Sequence, residues 1–342
     1  MVAVALSGGL DSSVAALLLK EAGHEVIGIH MRLQDSPAFD DQTRRAEGIC
    51  RILDIPYHQV DLQQEFEHHV VDYFCREYRQ GRTPNPCVAC NQYIKFGCLL
   101  DQALSLGADY LATGHYARVE HCPDGHRLLK APDARKDQTY FLYTLTQQQL
   151  AHVLFPLDTH TREEVKLMAE RAGLPTGTRS SQDICFISEG NYGSFLSRRF
   201  PARPGDVVDT RGRKLGQHRG VAFYTIGQRH GLGLASGRPL YVIMIEPESN
   251  RIVLGSEEEL YSQQLRARQV NWISGGIPQE SVRVTASIRY RSKEIGASLA
   301  FENDSVDVRF TEPQKAIAPG QVIVFYNGDE VLGGGTISQT QR

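Results

Sequence analysis

The chain predicts a doubly wound parallel α/β sheet, then a small basic β-rich module, then a C-terminal antiparallel β-barrel. Three observations carry this. Apolar runs alternate with helical patterns from Val2 to Gly114. Glycine and arginine rise after about residue 190, and long helical patterns stop there. From about residue 263 short β-branched runs follow one another, separated by Gly, Pro, Asn and Asp. The expected divisions are 1–192, 193–262 and 263–342.

The first stretch organises the rest. Val2 to Leu6 is an apolar run suited to one buried strand. Ser7, Gly8 and Gly9 break it. Leu10, Asp11, Ser12 and Ser13 follow, and from Asp11 onward Val14, Leu17 and Leu18 with Ala15 and Ala16 are spaced as a helix that ends near Gly23. Glycines admit a ligand close to the backbone, and a helix start offers unpaired N–H groups and a positive dipole end. That makes an anion site. The spacing is neither Gly-x4-Gly-Lys-Ser/Thr nor Gly-x-Gly-x-x-Gly. It resembles the pyrophosphate loop of N-type ATP pyrophosphatases (adenine nucleotide alpha hydrolase-like), which adenylate a substrate and release pyrophosphate. Tight strand–helix packing is the plain alternative, weakened by the Asp and two Ser after the glycines. Asp11 suits a magnesium-bound triphosphate, because hard cations take carboxylate oxygens.

Glu25 to Met31 predicts a second strand. Ala46, Ile49, Cys50 and Leu53 predict a helix over 39–53, and Ile55 to Val60 a third strand. Residues 61–80 and Leu99 to Leu106 read as helices, and Tyr110 to Gly114 as a strand. Such alternation places a ligand at the carboxyl ends of the strands. Met31 and Gly114 follow strands there, although Met31 reads equally well as core. The loop Ala134 to Leu142 carries Arg135, Lys136, Asp137 and Gln138, either as solvated surface or as substrate contacts. Thr161 with Glu164 predicts a capping box for a helix over 161–172, stopped by Gly173 and Pro175. Gly177 to Ser188 reads as a loop carrying Cys185.

The 342 residues suit two or three domains. No apolar run approaches the ~20 residues of a membrane span, and the start shows no secretory or transit pattern, so a cytoplasmic chain is expected. Net charge is −3. Between Gly193 and Arg238, however, nine Lys/Arg face two Asp, a local +7. This suggests a polyanion partner, most simply nucleic acid, against the plain reading of a solvated basic face. Tyr224 to Gly233 is turn-rich. Residues 283–290, 305–310 and 321–326 read as barrel strands. Arg289, Tyr290 and Arg291 combine charge with an aromatic ring, as phosphate holding and base stacking require, or form ordinary barrel surface.

Seven cysteines in no framework pattern predict reduced thiols. Cys50, Cys75 and Cys98 lie in helical segments as small apolar groups, and Cys122 sits in a loop beside Pro123. Cys87 and Cys90 are expected in a loop, as is Cys185. One C-x-x-C reads as a redox pair, a zinc half-site or a cluster half-site, and no second pair completes a zinc site. Adenylating loop, basic module and loop thiols together point to sulfur transfer onto RNA.

Ser7-Gly-Gly-Leu-Asp-Ser-Ser13, Thr83-Pro-Asn-Pro86, Cys90-Asn91, Ala112-Thr-Gly-His-Tyr116, Lys136-Asp-Gln138, Ser181-Gln-Asp-Ile-Cys-Phe-Ile187, Tyr224-Thr-Ile-Gly-Gln-Arg229 and Arg289-Tyr290 span all three regions. On these stretches the chain resembles the tRNA-specific 2-thiouridylases, which thiolate the wobble uridine. The resemblance implies that Leu6 to Ser13, Met31 and Gly114 hold ATP, with Asp11 serving adenylation. It implies a persulfide on Cys185 and a nucleophilic Cys90 that can close a disulfide with it. Asn85, Pro86 and Cys87 would border the target base. His115, Lys136, Asp137, Gln138, Arg289, Tyr290 and Gln321 would contact tRNA of the Lys, Glu and Gln types. A cysteine desulfurase or a sulfur-relay protein would supply the persulfide.

One departure matters. Many members carry Asp, thought to assist catalysis, where this chain has Cys87. Cys87, Cys90 and Cys185 would then suffice for a [4Fe-4S] cluster with one open iron. The persulfide relay stands first and the cluster second. A small-metabolite synthetase of the same loop class would leave the basic module and the cysteines unexplained. The intact Asp11 and serines weigh against a non-catalytic RNA-binding or sulfur-carrying adaptor.

Overall fold

Val2–Ala5 is buried along its whole length and forms β1, the middle of a five-stranded parallel sheet. The computed structural model describes residues 1–175, 184–187, 192–234, 237–277, 282–302 and 304–341. After β1 come α1 (Leu10–Glu21), β2 (Val26–Arg32), α2 (Pro37–Leu53) and β3 (Tyr57–Asp61). The helix expected over 61–80 is built as α3 (Gln63–Phe66), a π-helical stretch Glu67–Asp72, and α4 (Tyr73–Arg79). A second π-helical stretch, Cys90–Leu99, joins α5 (Pro86–Ala89) to α6 (Leu100–Ser105).

Here the sequence expectation is corrected. Cys87 and Cys90 are not in a loop. Asn85 caps α5 by accepting from the Val88 N–H at 3.4 Å, and Pro86 follows at a position where its missing N–H costs nothing. Asn-Pro starts a helix as readily as it makes a turn.

β4 (Tyr110–Ala112) lies on the other side of β1 from β2. A hairpin of β5 (Arg118–Cys122) and β6 (Gly125–Leu129) follows, so Cys122 ends a strand rather than lying in a loop. Then come α7 (Gln147–Leu150), β7 (Val153–Leu154) and α8 (Arg162–Arg171). The Thr161–Glu164 capping box of α8 is formed in both directions. The sheet order is β3-β2-β1-β4-β7.

After α9 (Tyr192–Arg199), a four-stranded sheet contains β8 (Gly205–Asp209), β9 (Lys214–His218), β10 (Tyr241–Glu246) and β11 (Arg251–Gly255), in the order β10-β11-β8-β9. The last region holds β12 (Tyr261–Trp272), β13 (Val282–Ser287), β14 (Ile295–Glu302), β15 (Ser305–Lys315), β16 (Val322–Asn327) and β17 (Glu330–Gln341). Pairing of β12 with β17 closes these six antiparallel strands into a barrel around Phe310, Phe325 and Ile323. Closure removes the exposed strand edges. No helix among the described residues is long and apolar enough to cross a membrane.

The barrel seats on the first sheet's domain by specific contacts. The Tyr140 hydroxyl donates to the Val322 carbonyl at 3.0 Å, and Asn271 Nδ2 donates to the Tyr143 carbonyl at 2.7 Å. A side chain at Gly334 would put its Cβ 2.8 Å from the Tyr143 ring. The capping box gives a local test of the fold. Thr161→Ala should cost about 1 kcal/mol in urea unfolding, and Thr161→Ser should recover most of it.

Candidate active site

The strand order reverses beside β1, between the β1–α1 turn and the segment after β4. This is the switch point at which open α/β sheets bind ligands. In the β1–α1 turn Gly8 has φ +72, and a Cβ there would fall 2.7 Å from the Gln42 carbonyl, so only glycine fits. Gly9 caps α1 without any side-chain hydrogen bond, which leaves the helix start to a ligand. The serines brace the turn. Ser12 Oγ accepts from the Ser7 N–H at 3.3 Å and donates to the Gly9 carbonyl at 3.1 Å. Ser13 Oγ donates to the same carbonyl at 2.8 Å. Leu6 and Leu10 are buried beneath, and Met31 is half-buried on β2. A Cβ at Gly114 would lie 2.6 Å from the Asp11 carbonyl carbon and the Ser12 nitrogen, so the two strand-end loops meet backbone to backbone.

Asp11 is not solitary. The buried Tyr116 hydroxyl donates to its Oδ1 at 2.8 Å, and Arg162, the first residue of α8, forms an ion pair with the same oxygen. Nothing in the sequence singled out Arg162, because 151 positions separate the partners.

His115 links this loop to the thiols. Lys95 Nζ lies 3.3 Å from His115 Nε2, and His115 Nδ1 lies 2.8 Å from Thr113 Oγ1. An ammonium only donates, so Nε2 accepts and Nδ1–H donates to Thr113. Burial, then Lys95, lowers the His115 pKa well below the usual histidine value, which agrees with a neutral ring. Lys95 stands on the helix that begins with Cys87 and Cys90.

All seven cysteines are free thiols. Cys87 and Cys185 reach solvent and Cys90 is half-buried, yet protein atoms crowd all three sulfurs. Desolvation pushes the Cys87 thiol up, Cys90 up to about 11, and Cys185 up to about 12. Cys90 and Cys87 raise Cys185 further, while Lys95 opposes the rise at each sulfur. The three thiols therefore share one electrostatic neighbourhood. Among the described residues, no three His, Cys, Asp or Glu side chains gather so as to hold a metal ion.

Three family models match in succession. One described as the tRNA methyl transferase HUP domain matches residues 1–189, a tRNA methyl transferase PRC-barrel domain matches 193–256, and an aminomethyltransferase beta-barrel domain matches 262–337. The tRNA-specific 2-thiouridylase MnmA of Moorella thermoacetica is 49% identical over 359 aligned positions, covering 99% of both chains. The tRNA-specific 2-thiouridylase MnmA 1 of Caldanaerobacter subterraneus subsp. tengcongensis is 48% identical, covering 100% of this chain and 98% of that one. The chain belongs to the tRNA-specific 2-thiouridylase family.

The residues expected from the resemblance to contact tRNA are largely engaged within the protein. Asp137 accepts from the Ala131 N–H at 2.9 Å and from Thr139 Oγ1 at 2.6 Å, with burial pushing its carboxyl up. Gln138 Oε1 accepts from the Tyr116 N–H at 3.0 Å. Gln321 Nε2 donates to the Thr83 carbonyl at 3.1 Å, which fixes the barrel to the segment that leads into Asn85 and Pro86. His115 is buried. Arg289 donates to the Lys315 and Ala316 carbonyls. The Tyr290 ring sits 4.5 Å from that of Phe141, under the Arg291 guanidinium. Lys136 is half-exposed. Of the nine cations between 193 and 238, Arg199 pairs with Glu67, Arg213 with Asp209 and Lys214 with Asp206.

Two expectations follow. Gly114→Ala should lose about 1–3 kcal/mol of stability in thermal or urea unfolding, because its methyl group meets backbone that has nowhere to move. Raised thiol pKa values mean little thiolate at neutral pH. Alkylation of Cys90 and Cys185 by iodoacetamide, followed by peptide mass spectrometry, should therefore be slower than that of free cysteine at pH 8. It should climb steeply between pH 9 and the values near 11 and 12.

Proposed function

We propose that this chain is an ATP-dependent tRNA-uridine 2-sulfurtransferase acting at the wobble position. One observation carries the reading. The phosphate-type loop and the cysteine helix are bridged by a continuous run of contacts, from Asp11 and Ser12 to Gly114, then His115, then Lys95. On this reading activation and sulfur delivery would take place side by side.

The C2 oxygen of uracil is a poor leaving group. Its attack on the α-phosphorus of ATP breaks the α–β bridge and expels pyrophosphate, and AMP can then leave with the oxygen. The Ser7–Ser13 turn presents helix-start N–H groups to the phosphates. Asp11 would hold the magnesium that accompanies a triphosphate, since a carboxylate beside a phosphate loop is a hard oxygen donor. The base must leave its stack to enter, past Asn85, Pro86 and Cys87.

Cys185 would carry the persulfide. Its terminal sulfur attacks C2, and the C–O bond breaks as AMP departs. Cys90 then attacks the Cys185 sulfur, the S–S bond breaks, and a Cys90–Cys185 disulfide closes as thiouridine is released. A thiol reductant reopens the disulfide. The raised Cys185 value suits the first step, because a persulfide is more acidic than its parent thiol and acquires its anion where the bare thiol does not; Cys90, whose thiol is raised as well, must give up its proton to a base as it attacks. A four-iron cluster asks for three converging thiolates. Cys87, Cys90 and Cys185 act on one another electrostatically and would be its ligands, so the cluster stands as the second reading, and no step is derived through it. Cytoplasmic tRNA of the Lys, Glu and Gln types would be the substrate, and a desulfurase-type persulfide donor the sulfur source.

The decisive assay supplies ATP, magnesium, a cysteine desulfurase with cysteine as the persulfide donor, a thiol reductant and unmodified transcript, and measures AMP together with 2-thiouridine by mass spectrometry. Asp11→Ala should abolish AMP formation while tRNA binding persists. Cys185→Ser should abolish thiolation, and residual thiolation in that variant would contradict its role. Stoichiometric iron after anaerobic purification, with activity dependent on it, would replace the relay with the cluster.

A further inference from the structure

We propose that Arg162 is the cation that takes the polyphosphate of the incoming nucleotide, releasing Asp11 as it does so. The proposal rests on the adenylation reading and adds to it a residue from outside the loop. Leu6 to Ser13 contains no Lys or Arg, so the turn must gather a polyanion with backbone dipoles alone or borrow a positive charge. Arg162 supplies one. Its guanidinium reaches across from the first turn of α8 to Asp11 Oδ1, which also receives the Tyr116 hydroxyl at 2.8 Å. Both partners of the ion pair keep 28% of their side-chain surface exposed, so the pair sits at the mouth of the turn rather than sealed beneath it.

Stability alone gives weak reason for this pair. Asp11 lies in the first turn of α1, where the helix dipole already favours a carboxylate. Removing an arginine from water to meet it gains little net energy. The arrangement does suit an exchange of partners. An uncompensated carboxylate would repel the phosphates, and Arg162 cancels that charge while the site awaits its nucleotide. The planar guanidinium fork then matches phosphate oxygens in bidentate fashion. Asp11 is left free for a hard cation. As uracil O2 bonds to the α-phosphorus, the electron pair of the breaking bridge leaves on pyrophosphate, and the N3 proton passes to water. Arg162 stabilises the charge that grows on that leaving group. The anchor is firm, since the Thr161–Glu164 capping box fixes the helix end from which Arg162 projects.

The test uses the full chain and the non-hydrolysable analogue α,β-methylene-ATP with magnesium, titrated by calorimetry, beside AMP formation with tRNA. Loss of one charge-assisted contact predicts a Kd for Arg162→Gln that is roughly 10- to 100-fold weaker, and a lower kcat for AMP release. Arg162→Lys keeps the charge without the fork and should fall between Gln and wild type. Affinity for tRNA should not change. A wild-type Kd and kcat in Arg162→Gln overturns the proposal. Should that variant lose its fold by circular dichroism, Arg162→Lys carries the test, and a wild-type Kd in it is equally fatal. Failure of the unaltered protein to bind the analogue would instead defeat the adenylation reading itself.

Discussion

The site depends on the absence of one side chain. Gly114 lets the segment after β4 lie against the first turn of α1, at a distance where a single methyl group would strike Asp11 and Ser12. Everything downstream inherits that contact. His115 and Tyr116 are placed by it, one facing Lys95 and the other facing Asp11. Two loops from neighbouring strand ends thereby become one surface, with phosphate-type geometry on one side and thiols on the other. Parallel sheets offer this opening where the strand order reverses, and here β1 and β4 flank it.

The barrel is the second determinant. The Thr83 N–H donates to the Pro319 carbonyl at 2.8 Å, and Gln321 returns a bond to the Thr83 carbonyl. A Cβ at Gly320 would meet Thr83 backbone at 2.9 Å, so this too is a contact without clearance. Two residues later Asn85 caps the helix that carries Cys87 and Cys90. The register of the cysteine helix is therefore tied to the seating of the barrel. RNA held by the barrel would act on the thiols through a few backbone bonds rather than across a flexible linker. Asp137, Gln138 and Gln321 then read as positioning residues, whose side chains hold backbone groups of Ala131, Tyr116 and Thr83.

What the sequence revealed was local. A strand, a glycine turn and a helix start lie within a dozen residues, and the Thr161–Glu164 pair lies within one helical turn. Such features depend on neighbours along the chain, and pattern reading reaches them. The cysteine helix was misread because Asn85-Pro86 carries turn chemistry and helix-start chemistry alike. The π-helical stretches left no trace, since a shift of hydrogen-bond register leaves side-chain composition unchanged. β17 was hidden by Gly333, Gly334 and Gly335, which weaken a strand pattern yet let the barrel close on Asn271 and Tyr143. The hairpin β5–β6 was too short and polar to stand out. The Asp11–Arg162 pair was illegible for a deeper reason, because only the finished fold brings its members together.

The thiol environment bears on the proposed sulfur transfer. A reactive cysteine ordinarily sits where positive charge or a helix start depresses its pKa. Here crowding and mutual repulsion raise Cys90 and Cys185, and Lys95 offsets only part of the rise. A thiol raised in this way holds little thiolate at neutral pH. On the proposed relay, a sulfur atom loaded on Cys185 would carry the anion itself, being the more acidic sulfur. Lys95, whose ammonium lies 3.3 Å from the neutral His115 ring, opposes the rise at Cys185 and on the proposed relay would favour an anion there.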